Sequence, residues 1–138
     1  MPLVTPMPIT RGFRQLVDEA NAQVKTYSVG DVRSRLDDPK IQLVDIRDGR
    51  ELEREGTVPG CINAPRGMLE FWVDPDSPYH KPIFASGKRF LLYCASGWRS
   101  TLAADTLTRM GVPRVSHLDG GFTAWKKAGL PVTQVERK

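Results

Sequence analysis

The sequence predicts an α/β protein with a mostly parallel sheet, and two observations carry that prediction. Apolar runs at 41–46 and 90–93 lack the polar alternation of half-exposed strands, which is typical of strands buried on both faces. Segments with helical spacing or helix-prone composition separate the predicted strands. Strands that alternate with helices in this way indicate parallel pairing and right-handed crossovers.

The first forty residues are predicted to hold two helices. Residues 1–10 contain three prolines and are expected to form an arm. Apolar residues recur at helical spacing over 11–26, which predicts an amphipathic helix. Ser28 is a suitable N-cap for a second, short helix, which the Asp-Asp-Pro sequence at 37–39 should end.

The rest of the chain is predicted to alternate strands and helices. The run at 41–46 is the first buried strand, and the polar segment at 47–55 is a helix that ends at Gly56. The remaining predicted elements are a turn at 57–60, a short strand at 61–63, one or two helical turns at 66–72, an irregular connection at 73–89, a strand at 90–93, a helix at about 99–110, a strand at 114–118, a tight turn at 119–121 and a helix at 122–128.

Length and charge limit the function classes. A chain of 138 residues suits one domain with a sizeable core. The net charge of +4 is mild and the longest basic cluster is the pair Lys126-Lys127, so no nucleic-acid partner is expected. No apolar stretch approaches the roughly 18 residues of a membrane helix, so no membrane partner is expected either. The basic balance suits a small anionic substrate, although surface lysines explain it equally well.

Cysteine and histidine usage favours a reducing compartment and argues against metal chemistry. Cys61 and Cys94 are too few for a disulfide framework or a fourfold ligand set. The start of the chain lacks the features of a secretory signal, so a cytoplasmic location is expected. His80 and His117 are isolated, and His117 is interpreted as a structural histidine of a strand, so no metal or other cofactor is expected.

The stretch 90–100 is the strongest candidate for chemistry. An apolar run ends at Cys94, a short loop with one glycine follows, and Arg99 and Ser100 open a helix. A thiol at that junction faces unpaired N–H groups and the positive end of the helix dipole, which favour negative charge on sulfur. Arg99 adds a permanent cation. The pattern predicts chemistry on anionic sulfur or on an oxyanion.

Three interpretations of Cys94 are open at this point. A cysteine at a strand end is often a buried structural residue. Phosphatase and arsenate-reductase loops place five residues between cysteine and arginine, whereas four residues separate Cys94 from Arg99, which argues against a tetrahedral oxyanion. The smaller cradle suits one extra sulfur atom, which predicts a sulfurtransferase that works through a persulfide.

Four blocks of the chain, in order over about residues 25–132, resemble the single-domain rhodanese family. The segment 94–100 is similar to the active-site loop Cys-x-x-Gly-x-Arg-Ser/Thr, and 118–125 is similar to the closing motif with its glycine pair. The segment 43–51 resembles the first motif of the family, and 56–65 resembles its Gly-His-Ile-Pro-Gly-Ala signature. One such block would be weak, whereas four in family order are specific.

The resemblance implies a three-layer α/β/α fold with a central, mostly parallel five-stranded sheet, in which 25–138 form the rhodanese-like domain and 1–24 an arm with a flanking helix. It implies that Cys94 takes a sulfane sulfur from a small anionic donor such as thiosulfate and passes it to cyanide, a thiol or a protein cysteine. Cys94 and Arg99 are then the catalytic residues. The expected substrate-binding residues are Ala95, Ser96, Gly97, Trp98, Ser100 and Arg66.

The chain departs from the family pattern at three positions. Thr57 replaces the usual histidine and Cys61 the usual alanine, and neither position is catalytic in the family. Ala95 stands where thiosulfate–cyanide enzymes often have arginine, which leaves the physiological donor open. A second hypothesis is therefore a protein-interaction or sulfur-relay module with a protein thiol as its partner. The amino-terminal helix is then either a docking surface or a packed flank.

Five further residues are weighed between a functional and a structural role. Asp45 and Arg47 are expected to support the site as a buried ion pair, which is favoured over a direct part in shaping the pocket. Arg66 is expected to bind the sulfonate end of a donor or to be a solvated arginine. Trp98 suits a pocket wall or a docking surface. Cys61 is interpreted as a small core residue, since a resolving role would require proximity to the catalytic cysteine.

Overall fold

The computed structural model describes residues 8–136 and contains one five-stranded sheet with helices on both faces, which confirms the predicted α/β architecture. All strands pair in parallel, in the order β1-β5-β4-β2-β3. The strands are β1 (Lys25–Tyr27), β2 (Ile41–Asp45), β3 (Ile62–Asn63), β4 (Arg89–Tyr93) and β5 (Ser116–Leu118). The helices are α1 (Phe13–Gln23), α2 (Val29–Arg33), α3 (Gly49–Glu55), α4 (Leu69–Val73), α5 (Trp98–Arg109) and α6 (Gly121–Lys127).

The two faces of the sheet carry separate apolar clusters. Along β4 and the residue after it, Phe90, Leu92 and Cys94 enter one cluster, together with side chains of α4 and α5. Leu91 and Tyr93 enter the other, together with side chains of α2 and α6. Because side chains alternate across a strand and both faces are covered, the run at 90–93 is apolar throughout, as the sequence indicates.

The amino-terminal prediction is partly wrong. The helix predicted over 11–26 ends at Gln23, and Lys25–Tyr27 form the edge strand β1, which pairs with β5. The strand is three residues long and its first two residues are exposed, so apolar periodicity carries no signal for it. Its hydrogen-bond partner lies about ninety residues away in the chain, which only the folded structure brings near.

Two short helices begin with capping boxes. The Ser28 hydroxyl accepts from the Asp31 N–H and the Asp31 carboxylate accepts from the Ser28 N–H, so the predicted cap is confirmed. The helix ends at Arg33, earlier than the predicted stop at 37–39. Asp48 and Glu51 form the same reciprocal pair at the start of α3, which fixes the direction of the Glu51 side chain.

The segments outside these elements are largely irregular. The connection at 73–89 contains a 3₁₀ turn at Pro82–Ala85, and a further 3₁₀ turn at Arg66–Met68 precedes α4. Most of the predicted arm, residues 1–7, lies outside the described residues. Among residues 8–136, no helix has both the length and the apolar character that a bilayer crossing requires.

Candidate active site

Cys94 lies at the carboxyl edge of the sheet, between the end of β4 and the start of α5, and its side chain is fully buried. Its Sγ accepts the backbone N–H of Gly97 at 3.1 Å and that of Ser100 at 3.4 Å. Gly97 offers no side chain to cap α5, so the sulfur fills the capping position. A helix amino terminus stabilises negative charge at this place. The geometry therefore favours an anionic sulfur.

The loop is held from outside by the start of α6. The Phe122 N–H donates to the Cys94 carbonyl at 2.7 Å, and the Thr123 N–H donates to the Ala95 carbonyl at 3.0 Å. Gly121 has φ of 58°, and a Cβ there would collide with the Cys94 carbonyl and with Ala95. The second glycine of the closing motif thus permits the contact that fixes the loop.

His117 supports the cradle through a chain of hydrogen bonds that runs from Ser100 to the exposed Thr26. The Ser100 hydroxyl donates to the Gly97 carbonyl at 3.2 Å, so it accepts from His117 Nδ1 at 3.0 Å. His117 Nε2 then accepts from the Thr26 hydroxyl at 3.1 Å. Burial lowers the pKa of His117, which keeps the imidazole neutral in this arrangement. His117 is therefore structural, as interpreted, yet it reaches the active-site loop.

Arg99 forms a two-pronged ion pair with Glu51, with N–O distances of 2.8 and 2.9 Å. The hydrogen bond to Arg99 lowers the pKa of Glu51, and the same bond raises the pKa of Arg99, to which the charge of Cys94 contributes less. The pair ties α3 to α5 beside the loop. The Arg99 guanidinium thus points at Glu51, and this carboxylate balances much of its charge.

Asp45 and Arg47 form the buried ion pair that the sequence suggested. The Arg47 Nε and Nη2 atoms lie 3.0 and 2.7 Å from the Asp45 carboxylate oxygens, and both side chains are fully buried. Nη2 also donates to the Gly56 carbonyl at 2.7 Å, and the guanidinium lies 4.2 Å from the Phe122 ring centroid. Burial opposes the charge of Arg47, but its bonds to Asp45 prevail and raise its pKa. The pair joins β2 to the loop after α3 and to α6.

Cys61 lies on the other side of the sheet from Cys94. It packs in the cluster that contains Tyr93, whereas Cys94 belongs to the opposite cluster. Its Sγ is 2.9 Å from the Thr57 hydroxyl and 3.3 Å from the Tyr93 hydroxyl. The two unusual residues at 57 and 61 therefore contact each other. The sheet between the two thiols argues against a resolving role for Cys61.

The two other side chains singled out by the sequence differ in position. Arg66 pairs with Glu70 at 2.5 Å and lies 3.5 Å from the Thr106 hydroxyl, beyond the first turn of α5, so the structure does not bring it to Cys94. Trp98 is 48% exposed beside the loop and packs against Phe13 of α1, with a centroid distance of 4.9 Å and the ring planes tilted by 56°. Among the described residues, no group of three metal-ligating side chains is found.

Sequence reasoning missed three roles at this site. Glu51 as the partner of Arg99, His117 as a support of Ser100, and the α6 amides as anchors of the loop all depend on contacts between distant segments. Of the three, only the role of Glu51 had a signal in the sequence. Its three-residue spacing from Asp48 is typical of a capping box, which directs the Glu51 side chain.

Comparison with known proteins gives a consistent result. The model of the rhodanese-like domain family matches residues 28–128. A sulfurtransferase of Allochromatium vinosum is 31% identical over 121 residues, which cover 88% of this chain and 99% of that protein. The chain spans only 35% and 48% of two cyanobacterial relatives, from Synechococcus elongatus and Synechocystis.

Solved structures show the same fold. A protein of Rhodopseudomonas palustris, described as of unknown function and a possible tyrosine phosphatase, has a TM-score of 0.91 and 48% identity, and the match covers 94% of this chain and 100% of that one. A rhodanese-related protein of Thermoplasma volcanium has a TM-score of 0.65 and 25% identity, over 79% of this chain and 97% of that one.

Proposed function

Because the chain belongs to the rhodanese-like domain family, we propose that it is a sulfurtransferase that carries a sulfane sulfur on Cys94. The observation that carries the proposal is the pair of backbone N–H groups, from Gly97 and Ser100, that point at the buried Sγ of Cys94. These donors are fixed before any substrate arrives, so they stabilise charge on sulfur without reorganisation.

The first step loads the cysteine. The Cys94 thiolate attacks the outer sulfur of thiosulfate, and a new S–S bond forms on Cys94. The S–S bond of thiosulfate breaks, and sulfite leaves with its electron pair. The loop amides from Ala95 to Ser100 hold the persulfide anion, while Arg99 places a cation at the rim of the loop. A contribution from Arg66 would require its side chain to leave Glu70.

The second step transfers the sulfur from Cys94 to an acceptor. A thiophilic acceptor, either cyanide, a thiol or a protein cysteine, attacks the outer sulfur of the Cys94 persulfide. The S–S bond breaks, and its electron pair returns to the Cys94 sulfur. Neither step needs an oxidant or a cofactor, since a neutral sulfur atom moves between two nucleophiles.

The loop length supports sulfur over phosphate. Four residues separate Cys94 from Arg99, and the Sγ already lies within 3.4 Å of two amides. The cradle is therefore small, which suits one added atom better than a tetrahedral group. The description of the Rhodopseudomonas palustris protein makes the phosphatase interpretation worth a direct control.

A sulfur-relay module that serves a protein thiol is the second candidate. Its support is the half-exposed pair formed by Trp98 of the loop and Phe13 of α1. Exposed tryptophan beside a reactive group is typical of interfaces. Thiosulfate–cyanide enzymes often have arginine at the position of Ala95. Alanine at this position is consistent with a protein acceptor. Fast transfer to a protein thiol with slow turnover of cyanide would select this candidate.

Mass spectrometry after incubation with thiosulfate tests the main proposal. We expect the wild-type mass to rise by one sulfur atom, and the same gain in Cys61→Ala, because Cys61 lies on the opposite side of the sheet. Cys94→Ala should gain nothing. An unmodified wild type, or an adduct that persists in Cys94→Ala, contradicts the proposal. Hydrolysis of an aryl phosphate that depends on Cys94 would favour the phosphatase instead.

A further inference from the structure

A polar cavity of about 260 Å³ lies between α1 and the active-site loop. Residues from α1, from the loop and from the end of β5 line it, among them Arg14, Asp18, Asn21, Ser96, Gly97 and Asp119. Helix α1 lies outside the residues that match the family model. The cavity is therefore a feature that this helix adds to the rhodanese-like domain.

The cavity borders the loop that surrounds the sulfur of Cys94, although Cys94 itself does not line it. Gly97, which is part of its wall, donates its N–H to Cys94 Sγ at 3.1 Å. His117, also in the wall, holds the Ser100 hydroxyl. A volume of about 260 Å³ is slightly below the roughly 300–1,000 Å³ of pockets for drug-sized ligands. The space thus suits a small molecule whose reactive end reaches the loop.

The cavity lining includes one arginine, Arg14, whose side chain is held by aromatic rings. The Arg14 guanidinium lies 5.2 Å from the Phe13 ring centroid and 5.6 Å from that of Trp98. Stacking on two rings that themselves pack together limits the freedom of this long side chain. A guanidinium held in this way can bind a carboxylate through two parallel hydrogen bonds.

The same lining also holds two carboxylates: Asp18 lies one turn after Arg14 on α1, and Asp119 follows the end of β5. Within residues 8–136 neither carboxylate forms an ion pair or accepts a hydrogen bond. Asn21 Oδ1 accepts from the Thr101 hydroxyl at 2.6 Å, which fixes the orientation of its amide group beside them. Two solvent-exposed carboxylates and an arginine in one lining are complementary to a ligand with both an ammonium and a carboxylate group.

We propose that this cavity binds the α-amino-acid moiety of a low-molecular-weight thiol acceptor such as cysteine. The carboxylate of the acceptor meets Arg14, and its ammonium group meets Asp18 and Asp119. This inference rests on the proposed function, since the acceptor is needed only if Cys94 carries sulfur.

The transfer balances without a further reagent. The acceptor thiol gives its proton to the outer sulfur of the Cys94 persulfide anion, and the resulting thiolate attacks that sulfur. A new S–S bond forms on the acceptor, which leaves as a persulfide with the proton on its terminal sulfur. The bond to Cys94 Sγ breaks, and its electron pair restores the Cys94 thiolate.

Binding is tested first on the intact protein with S-methyl-L-cysteine, which has both charged groups but no reactive thiol. Amide NMR signals of α1 and of Ser96 and Asp119 should shift on titration. The dissociation constant obtained from these shifts should rise about tenfold in Asp119→Asn and in Arg14→Gln. Asp76→Asn, an exposed carboxylate in the connection before β4, is the matched control. No shift in the wild type, or equal shifts in all variants, overturns the proposal whether or not Cys94 takes up sulfur.

Transfer is tested second, with the Cys94 persulfide loaded from thiosulfate. The ratio of discharge rates for L-cysteine and 2-mercaptoethanol should fall about tenfold in Asp18→Asn and Asp119→Asn, and stay constant in Asp76→Asn. A ratio that is the same in every variant overturns the proposal, as does a defect confined to protein thiols, which would assign the cavity to a protein acceptor. Failure of wild-type Cys94 to load would instead overturn the proposed function.

Discussion

The two cysteines lie on opposite faces of the same sheet and have opposite surroundings. Cys94 accepts two backbone N–H groups at the amino terminus of α5. Cys61 contacts two hydroxyl groups, those of Thr57 and Tyr93, and the Thr57 hydroxyl in turn donates to the Asp45 carboxylate at 2.7 Å. One thiol faces donors fixed by a helix, and the other faces rotatable hydroxyls next to a negative charge.

This difference shows that position, and not residue type, decides which groups surround each thiol. Burial raises the pKa of Cys61, and the charge of Asp45 raises it further, although its hydroxyl partners act in the other direction. Burial also raises the pKa of Tyr93 strongly, which keeps that partner neutral. Cys94 is more deeply buried than Cys61, yet its sulfur meets two backbone N–H donors at the start of α5. Two thiols of the same sheet therefore differ in burial and in the groups that they contact.

The largest expected difference between the two cysteines is in turnover. Cys94→Ser should lower thiosulfate-dependent sulfur transfer by on the order of a thousandfold or more, because the hydroxyl cannot form a persulfide. Cys61→Ser should stay within about twofold of the wild type, since Cys61 does not face the loop. Steady-state rates of sulfite release, with folding checked by circular dichroism, give the comparison. A comparable loss in both variants would mean that the two thiols act together.

The surroundings of Cys61 should instead dominate stability. Asp45→Ala leaves Arg47 buried without its main partner, which should lower the free energy of unfolding by about 3–5 kcal/mol. The exposed ion pair between Arg11 and Glu19 provides the control, and Glu19→Ala should cost about 0–1 kcal/mol. Urea denaturation measures both. Similar losses for the two variants would show that the buried ion pair contributes no more to stability than the exposed one.

A glycine near each cysteine allows a matched comparison. Gly97 has φ of 104°, and a Cβ there would lie 3.4 Å from the Gly120 nitrogen, whereas Gly60 has φ of 82° with open space around it. Alanine at either position should cost about 1–3 kcal/mol through backbone strain. Only Gly97→Ala should also slow sulfur loading, by about tenfold, because its N–H contacts Cys94 Sγ. Loading followed by mass spectrometry and unfolding in urea separate the two effects; slowed loading in Gly60→Ala would contradict the assignment.

The smallest expected effect is on the pH dependence of stability, through His117, which supports the loop of Cys94. Because burial lowers the pKa of His117 below the ordinary 6.5, the unfolded chain binds that proton more readily than the folded protein. Its contribution to stability is complete above about pH 6.5 and is lost as the pH falls through the folded pKa. His117→Gln should flatten this dependence, by at most about 1.4 kcal/mol per pH unit. Unfolding curves between about pH 7 and 5 test this, and an unchanged slope would exclude His117 as its source.

Much of the architecture was predictable because its signals are local. The apolar runs, the Ser28 cap, the turn after α3 and the end of α5 all follow from spacing and from residues with narrow backbone preferences. The strand β1 escaped prediction, since three residues at an edge owe their conformation to β5 and not to their own sequence.

For the site, the sequence alone pointed to Cys94 as the candidate nucleophile and determined the four-residue spacing to Arg99 and the strand–helix junction, because these lie within seven consecutive residues and depend on local chain geometry. The tertiary structure decided that Glu51 pairs with Arg99, that His117 supports Ser100, that α1 walls a cavity beside the loop and that the two thiols are kept apart. Those contacts join segments up to about a hundred residues apart, and no local preference specifies them; they arise only when the sheet brings its strand ends to one edge.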